Sequence, residues 1–77
     1  MKSIEKQIEV NPKIMFGKPV IKGTRLTVEL ILDSLSHGES VENLLAAHPR
    51  LTIEGIYAAL SFASETLKGE NIYPIAV

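Results

Sequence analysis

The chain has no cysteine and no tryptophan, and only two phenylalanines and two tyrosines. Without cysteine there is no disulfide framework and no thiolate zinc site, which is compatible with a reducing cytosol. The scarcity of aromatics leaves the core to Ile, Leu, Val and Ala in a chain of 77 residues that is 45% apolar. No apolar run approaches the ~20 residues needed to span a bilayer. The start of the chain, Met1-Lys2-Ser3-Ile4-Glu5-Lys6, lacks the apolar block of a signal peptide. The expectation is a soluble cytoplasmic protein that does not touch membranes.

Groups for catalysis are equally scarce. Asp33 is the sole aspartate, and His37 and His48 are the two histidines, each at the end of an expected helix. That is where the helix dipole favours them, and it is not the spacing of a metal pair. Glu29 and Asp33 share one helical face with no third ligand near, which reads as solvated surface. No Ser/His/Asp set is suggested. The expectation is a protein that is not an enzyme and uses neither metal nor cofactor.

What is present is a division of charge. Residues 1–27 carry Lys2, Lys6, Lys13, Lys18, Lys22 and Arg25 against Glu5 and Glu9, a balance of +4. Residues 28–77 carry Arg50 and Lys68 against Glu29, Asp33, Glu39, Glu42, Glu54, Glu65 and Glu70, a balance of −5. The net charge of −1 argues against a purely electrostatic nucleic-acid binder. The basic third can meet phosphates, or it can pack on the acidic helices of its own chain. The densest part is Gly17-Lys18-Pro19-Val20-Ile21-Lys22-Gly23-Thr24-Arg25. It is not a P-loop, because Lys22 precedes Gly23 where that motif needs the lysine after the glycine. It does run into a helix start, where free N–H groups and the dipole favour an anion.

Local patterns divide one domain, 1–77, into three parts. Residues 1–26 read as a β-rich basic segment, with Ile8-Glu9-Val10 and Val20-Ile21 as strands, Ile14-Met15-Phe16 as a brief apolar run, and turns at Asn11-Pro12 and Lys22-Gly23. An isolated hairpin is marginal in water, so this one needs the helices or another chain. Residues 27–69 read as three capped helices. Thr27 caps Val28, Ile31, Leu32 and Leu35, with Gly38 as the stop; Ser40 caps Val41, Leu44, Leu45 and His48, with Pro49 as the stop. Thr52 caps a longer stripe of Ile53, Ile56, Leu60, Ala63 and Leu67, and Gly55 in its first turn either costs helix stability or permits close backbone approach. The short link Pro49-Arg50-Leu51 has the length of a helix-turn-helix, and a plain three-helix bundle fits equally. Residues 70–77 form an apolar tail. A domain of this size buries roughly 60–65% of its unfolded surface and often needs a partner subunit.

The segment from Gly17 to Arg25, followed by Val28, Gly38-Glu39-Ser40, His48-Pro49-Arg50-Leu51-Thr52 and Ala58-Ala59-Leu60, resembles domain-of-unknown-function family 433. The similarity runs from about Ile8 to Ala63. It implies a mainly α fold, with a three-helix, homeodomain-like helix-turn-helix core behind a short β-rich N-terminal segment. It also implies a small homodimeric antitoxin of VapB type, which binds operator DNA and neutralises a PIN-like ribonuclease toxin by inserting a segment that blocks its site. On this reading Lys18, Lys22, Thr24 and Arg25 touch phosphate, while Thr52, Tyr57 and Ser61 face a groove. Ile72, Tyr73 and Ile75 of the tail contact the toxin. The third helix carries Glu54 and Glu65 with Lys68 only at its far end, a poor set for reading bases. The alternative is a protein-interaction or oligomerisation module that ignores nucleic acid.

Overall fold

A computed structural model describes residues 6–69. Two short antiparallel strands, β1 (Ile8–Glu9) and β2 (Val20–Ile21), pair with Ile8 opposite Ile21 and Glu9 opposite Val20. The chain returns to the free side of β2 through a tight turn. Val20 bridges Thr27, Ile21 N–H donates to the Leu26 carbonyl at 2.8 Å, and Val28 N–H donates to the Pro19 carbonyl at 2.9 Å. β2 is therefore flanked on both sides, so its backbone groups are not left as an open edge.

Three helices follow, α1 (Val28–Ser36), α2 (Val41–Ala47) and α3 (Ile53–Gly69). Each begins on the hydroxyl residue its sequence offers. Thr27 Oγ1 accepts from Leu30 N–H, Ser40 Oγ from Asn43 N–H, and Thr52 Oγ1 from Gly55 N–H, all at 3.0 Å. Each bond satisfies one donor that the first turn leaves unpaired. α1 ends in a Schellman motif: Glu39 N–H donates to Ser34 O and Gly38 N–H to Leu35 O, with Gly38 at φ +92°. Pro49, lacking an N–H, follows the last residue bonded into α2, His48.

The core is aliphatic. Val20, Ile31 and Ile56 are fully buried, and Ile8, Ile21, Val28, Leu44, Leu51, Ala58 and Ala59 close around them. α1 and β1 both pack on α3. The fold is mainly α, three helices behind a short N-terminal hairpin, as the sequence predicts.

Two local expectations are corrected. The apolar run at Ile14–Phe16 is not β structure. It is a tight turn in which Met15, Phe16 and Gly17 all have positive φ, at 49°, 60° and 83°, and Phe16 is exposed. The inner face of α3 keeps Ile56 of the expected stripe but turns Leu60 and Leu67 outward. Its buried residues are Gly55, Ile56, Ala58 and Ala59, while Leu60 and Leu67 are 43% and 65% exposed. A helix turns about 100° per residue, so the helix sits about one residue around from the expected face. The small side chains decide this. A Cβ on Gly55 would lie 3.5 Å from Ile21 Cγ2 and 3.4 Å from Leu51 Cδ1, so the hairpin and the preceding loop close directly on the α3 backbone. Burying Ile21 and Leu51 there outweighs burying α3's own Leu60 and Leu67.

Candidate nucleic-acid interface

The turn after β2 is built from its own side chains. Thr24 Oγ1 donates to the Ile21 carbonyl at 2.8 Å and accepts from Leu26 N–H at 2.9 Å. Thr24 N–H donates to the same Ile21 carbonyl at 3.0 Å. The hydroxyl thus has both its roles filled inside the turn, and what remains for a ligand is the next residue, Arg25, held outward by a pinned backbone. Arg25 is exposed and makes no ion pair among the described residues.

This turn faces the α2–α3 connection across an open groove of about 540 Å³, lined by Glu9, Ile14, Gly23 to Leu26, and His48 to Arg50. Two arginines therefore border one groove. Arg25 arrives on the turn after β2, and Arg50 on the turn that Pro49 and the Leu51 N–H to His48 carbonyl bond (2.9 Å) close. Glu9 of β1 is the one carboxylate in the lining.

The remaining candidates divide. Lys18 is exposed and pairs with Glu29 of α1 at 3.1 Å. One residue of the basic segment thus binds an acidic helix of its own chain, as the intramolecular alternative expects. Both partners are largely in water, so this bridge contributes little to stability and yields readily to a phosphate. Lys22 is exposed at the tip of the turn, its backbone N–H donating to the Gln7 carbonyl at 2.7 Å. Thr52 spends its hydroxyl on the α3 cap. Tyr57 and Ser61 lie one turn apart on α3, exposed and half-buried, and like Thr52 they do not line the groove. The tail residues Ile72, Tyr73 and Ile75 lie outside the described residues.

Arg50 and His48 are absent from the candidates read off the sequence. Counted by segment, Arg50 falls in the acidic part of the chain. Its signal is positional: a cation in the connection that the first turn comes to face. The outer side of α3 carries a second feature, an apolar stripe of Tyr57, Leu60 and Leu67 at helical spacing, all exposed. Among the described residues no three His, Asp or Glu side chains converge as metal ligands, and no helix is long and apolar enough to cross a membrane.

Known proteins share this chain's sequence and shape. An uncharacterized protein of Sinorhizobium fredii, y4eO, is 42% identical over 62 residues. The match covers 79% of this chain but only 28% of that relative, so this chain spans under a third of its length. A crystal structure of a DUF433 member from Anabaena variabilis superposes with a TM-score of 0.78 at 25% identity, covering 88% of this chain and 67% of that one. Residues 8–63, which contain both turns of the groove and the buried face of α3, match the family described as protein of unknown function DUF433, and the chain belongs to that family.

Proposed function

We propose that this protein is a non-catalytic, DNA-binding antitoxin of a type II toxin–antitoxin pair, which grips operator DNA and neutralises a PIN-like ribonuclease toxin in the cytoplasm. The observation that carries the DNA half is the pairing of Arg25 and Arg50 on one groove. Two guanidiniums on opposed turns suit a phosphate backbone, which Arg grips bidentately. Lys18 and Lys22 extend the cationic surface, and α2 with α3 supplies a homeodomain-like helix-turn-helix whose connection carries Arg50. α3 itself offers few groups for base readout, so affinity comes mainly from phosphate contacts. Glu9 in the groove wall opposes an anion.

The toxin half is supported by the apolar stripe of Tyr57, Leu60 and Leu67 beside the exposed carboxylates Glu54 and Glu65. An apolar surface bordered by carboxylates fits a protein partner with an apolar, basic face. The tail residues Ile72, Tyr73 and Ile75 add apolar contacts to the same partner. The same stripe favours a second reading, a protein-interaction or dimerisation module that does not bind nucleic acid.

The test is titration of the purified protein with the DNA upstream of its own reading frame and with scrambled duplex, at two salt concentrations. The antitoxin reading expects preferential, salt-sensitive binding. Arg25→Ala and Arg50→Ala should each weaken it and lower the slope of log K against log salt by about 0.9. If neither duplex binds, alone or with the co-purified partner present, the interaction-module reading stands in its place.

A further inference from the structure

The turn at Met15–Gly17 has no role in the groove, yet it is the most unusual backbone among the described residues. Met15 and Phe16 adopt left-handed φ, which costs any residue with a Cβ, and Gly17 continues it. The turn is nonetheless firmly held. Ile14 N–H donates to the Asn11 carbonyl at 2.8 Å, Lys13 N–H to Asn11 Oδ1 at 2.9 Å, Gly17 N–H to the Ile14 carbonyl at 3.0 Å and Lys18 N–H to the Met15 carbonyl at 3.1 Å. Pro12 and Pro19 stiffen the approaches. The product of this strain is the display of Phe16, which is 95% exposed, the most exposed of the large apolar side chains among the described residues. A strained turn with no fully buried residue is not there for the core. Strain of this kind gathers where a side chain must be presented in one fixed pose.

The surroundings say to what. Between Val10 and Val28 every charged residue is a cation: Lys13, Lys18, Lys22 and Arg25. Lys13 and Lys18 flank Phe16 within three residues on either side. Ile14, at the base of the turn, is in the wall of the groove that Arg25 and Arg50 border. A phosphate backbone seated in that groove therefore runs past the foot of the turn, with an aromatic ring standing beyond it. We propose that Phe16 is a wedge that inserts between neighbouring base pairs of the bound duplex. Apolar side chains do this beside phosphate-binding cations, partly unstacking a base step and bending the DNA. The inference rests on the DNA-binding reading above and adds a residue, a mode of contact and a distortion to it.

The experiment uses the full chain and duplexes tiled across the DNA upstream of its reading frame, each carrying a fluorescent adenine analogue that brightens on unstacking. Wild-type protein should brighten one duplex on binding. Phe16→Ala should abolish the brightening and weaken binding about tenfold or more, the usual loss for a stacking aromatic. Phe16→Trp should retain both. Thermal melting separates presentation from packing: Phe16→Gly, freed of the left-handed strain, should melt at or above the wild-type temperature while losing the signal. Wild-type binding with no brightening, or undiminished brightening by Phe16→Ala, overturns the wedge and leaves the DNA reading standing. Phe16→Ala that binds DNA normally but breaks a dimer also overturns it, and assigns the residue to a protein contact. If wild type binds no duplex, both readings fall.

Discussion

Thr24, Thr27 and Thr52 show how much one hydroxyl can commit. Thr27 and Thr52 cap α1 and α3, and this role is legible in the sequence, because a Thr just before a periodic apolar run has one economical use. Thr27→Ala and Thr52→Ala should each cost about 1 kcal/mol. In a domain this small, that lowers the melting temperature by about 4–8 °C, readable by calorimetry. Thr24 looks like a phosphate ligand in the sequence and is not free for that, since its hydroxyl closes the turn around Ile21 and Leu26. The sequence does not distinguish the two, because both uses need a hydroxyl beside a glycine. Thr24→Ala should therefore loosen the turn and lower stability along with any DNA affinity, whereas Arg25→Ala should change affinity alone. Glu9→Gln makes the opposite prediction. Removing the one carboxylate that lines the groove should tighten DNA binding severalfold at low salt, and unchanged affinity would place the phosphate elsewhere.

At the level of elements, α3 carries the lesson. Its start was legible from Thr52 and its length from the stripe that runs to Leu67, and its facing was not. Periodicity weighs large apolar residues, and α3 has two candidate faces that meet at Ile56. One is lined by Ile53, Leu60 and Leu67, the other by Gly55, Ala58 and Ala59. The second wins because the partners bring the bulk: Ile21 and Leu51 fill the space that the small residues leave. Gly55→Ala should be neutral or stabilising by up to about 1 kcal/mol, since a methyl there meets its neighbours at 3.4–3.5 Å and gains helix propensity. Gly55→Leu should cost more than 2–3 kcal/mol, or unfold the protein, as its extra atoms have nowhere to go. Both are measured by urea titration. The hairpin was legible as strands. The left-handed turn between them was not, because nothing in Ile14-Met15-Phe16 forbids a strand until the bonds to Asn11 before it and from Lys18 after it are seen.

The molecule as a whole presents two unlike surfaces, a groove with two arginines and a helix with an apolar outer stripe. A protein that needs both should lose them separately. Leu60→Glu with Leu67→Glu should abolish dimerisation or partner capture, seen by sedimentation and pull-down, and leave folding intact because both side chains are already exposed. The charge division between the two ends of the chain was legible from composition. That Arg50 shares a groove with Arg25 emerges only once the core brings the two turns together. The contact between Ile21 and Gly55 has a further consequence, for the order of events during synthesis. The hairpin leaves the ribosome first, but its docking face is not made until α3 emerges, 34 residues later than Ile21. At about 5–20 residues per second this is a wait of about 2–7 s. Throughout that interval Ile8 and Ile21 lack the α3 face they dock on, so the nascent chain is open to chaperones and proteases until that helix arrives.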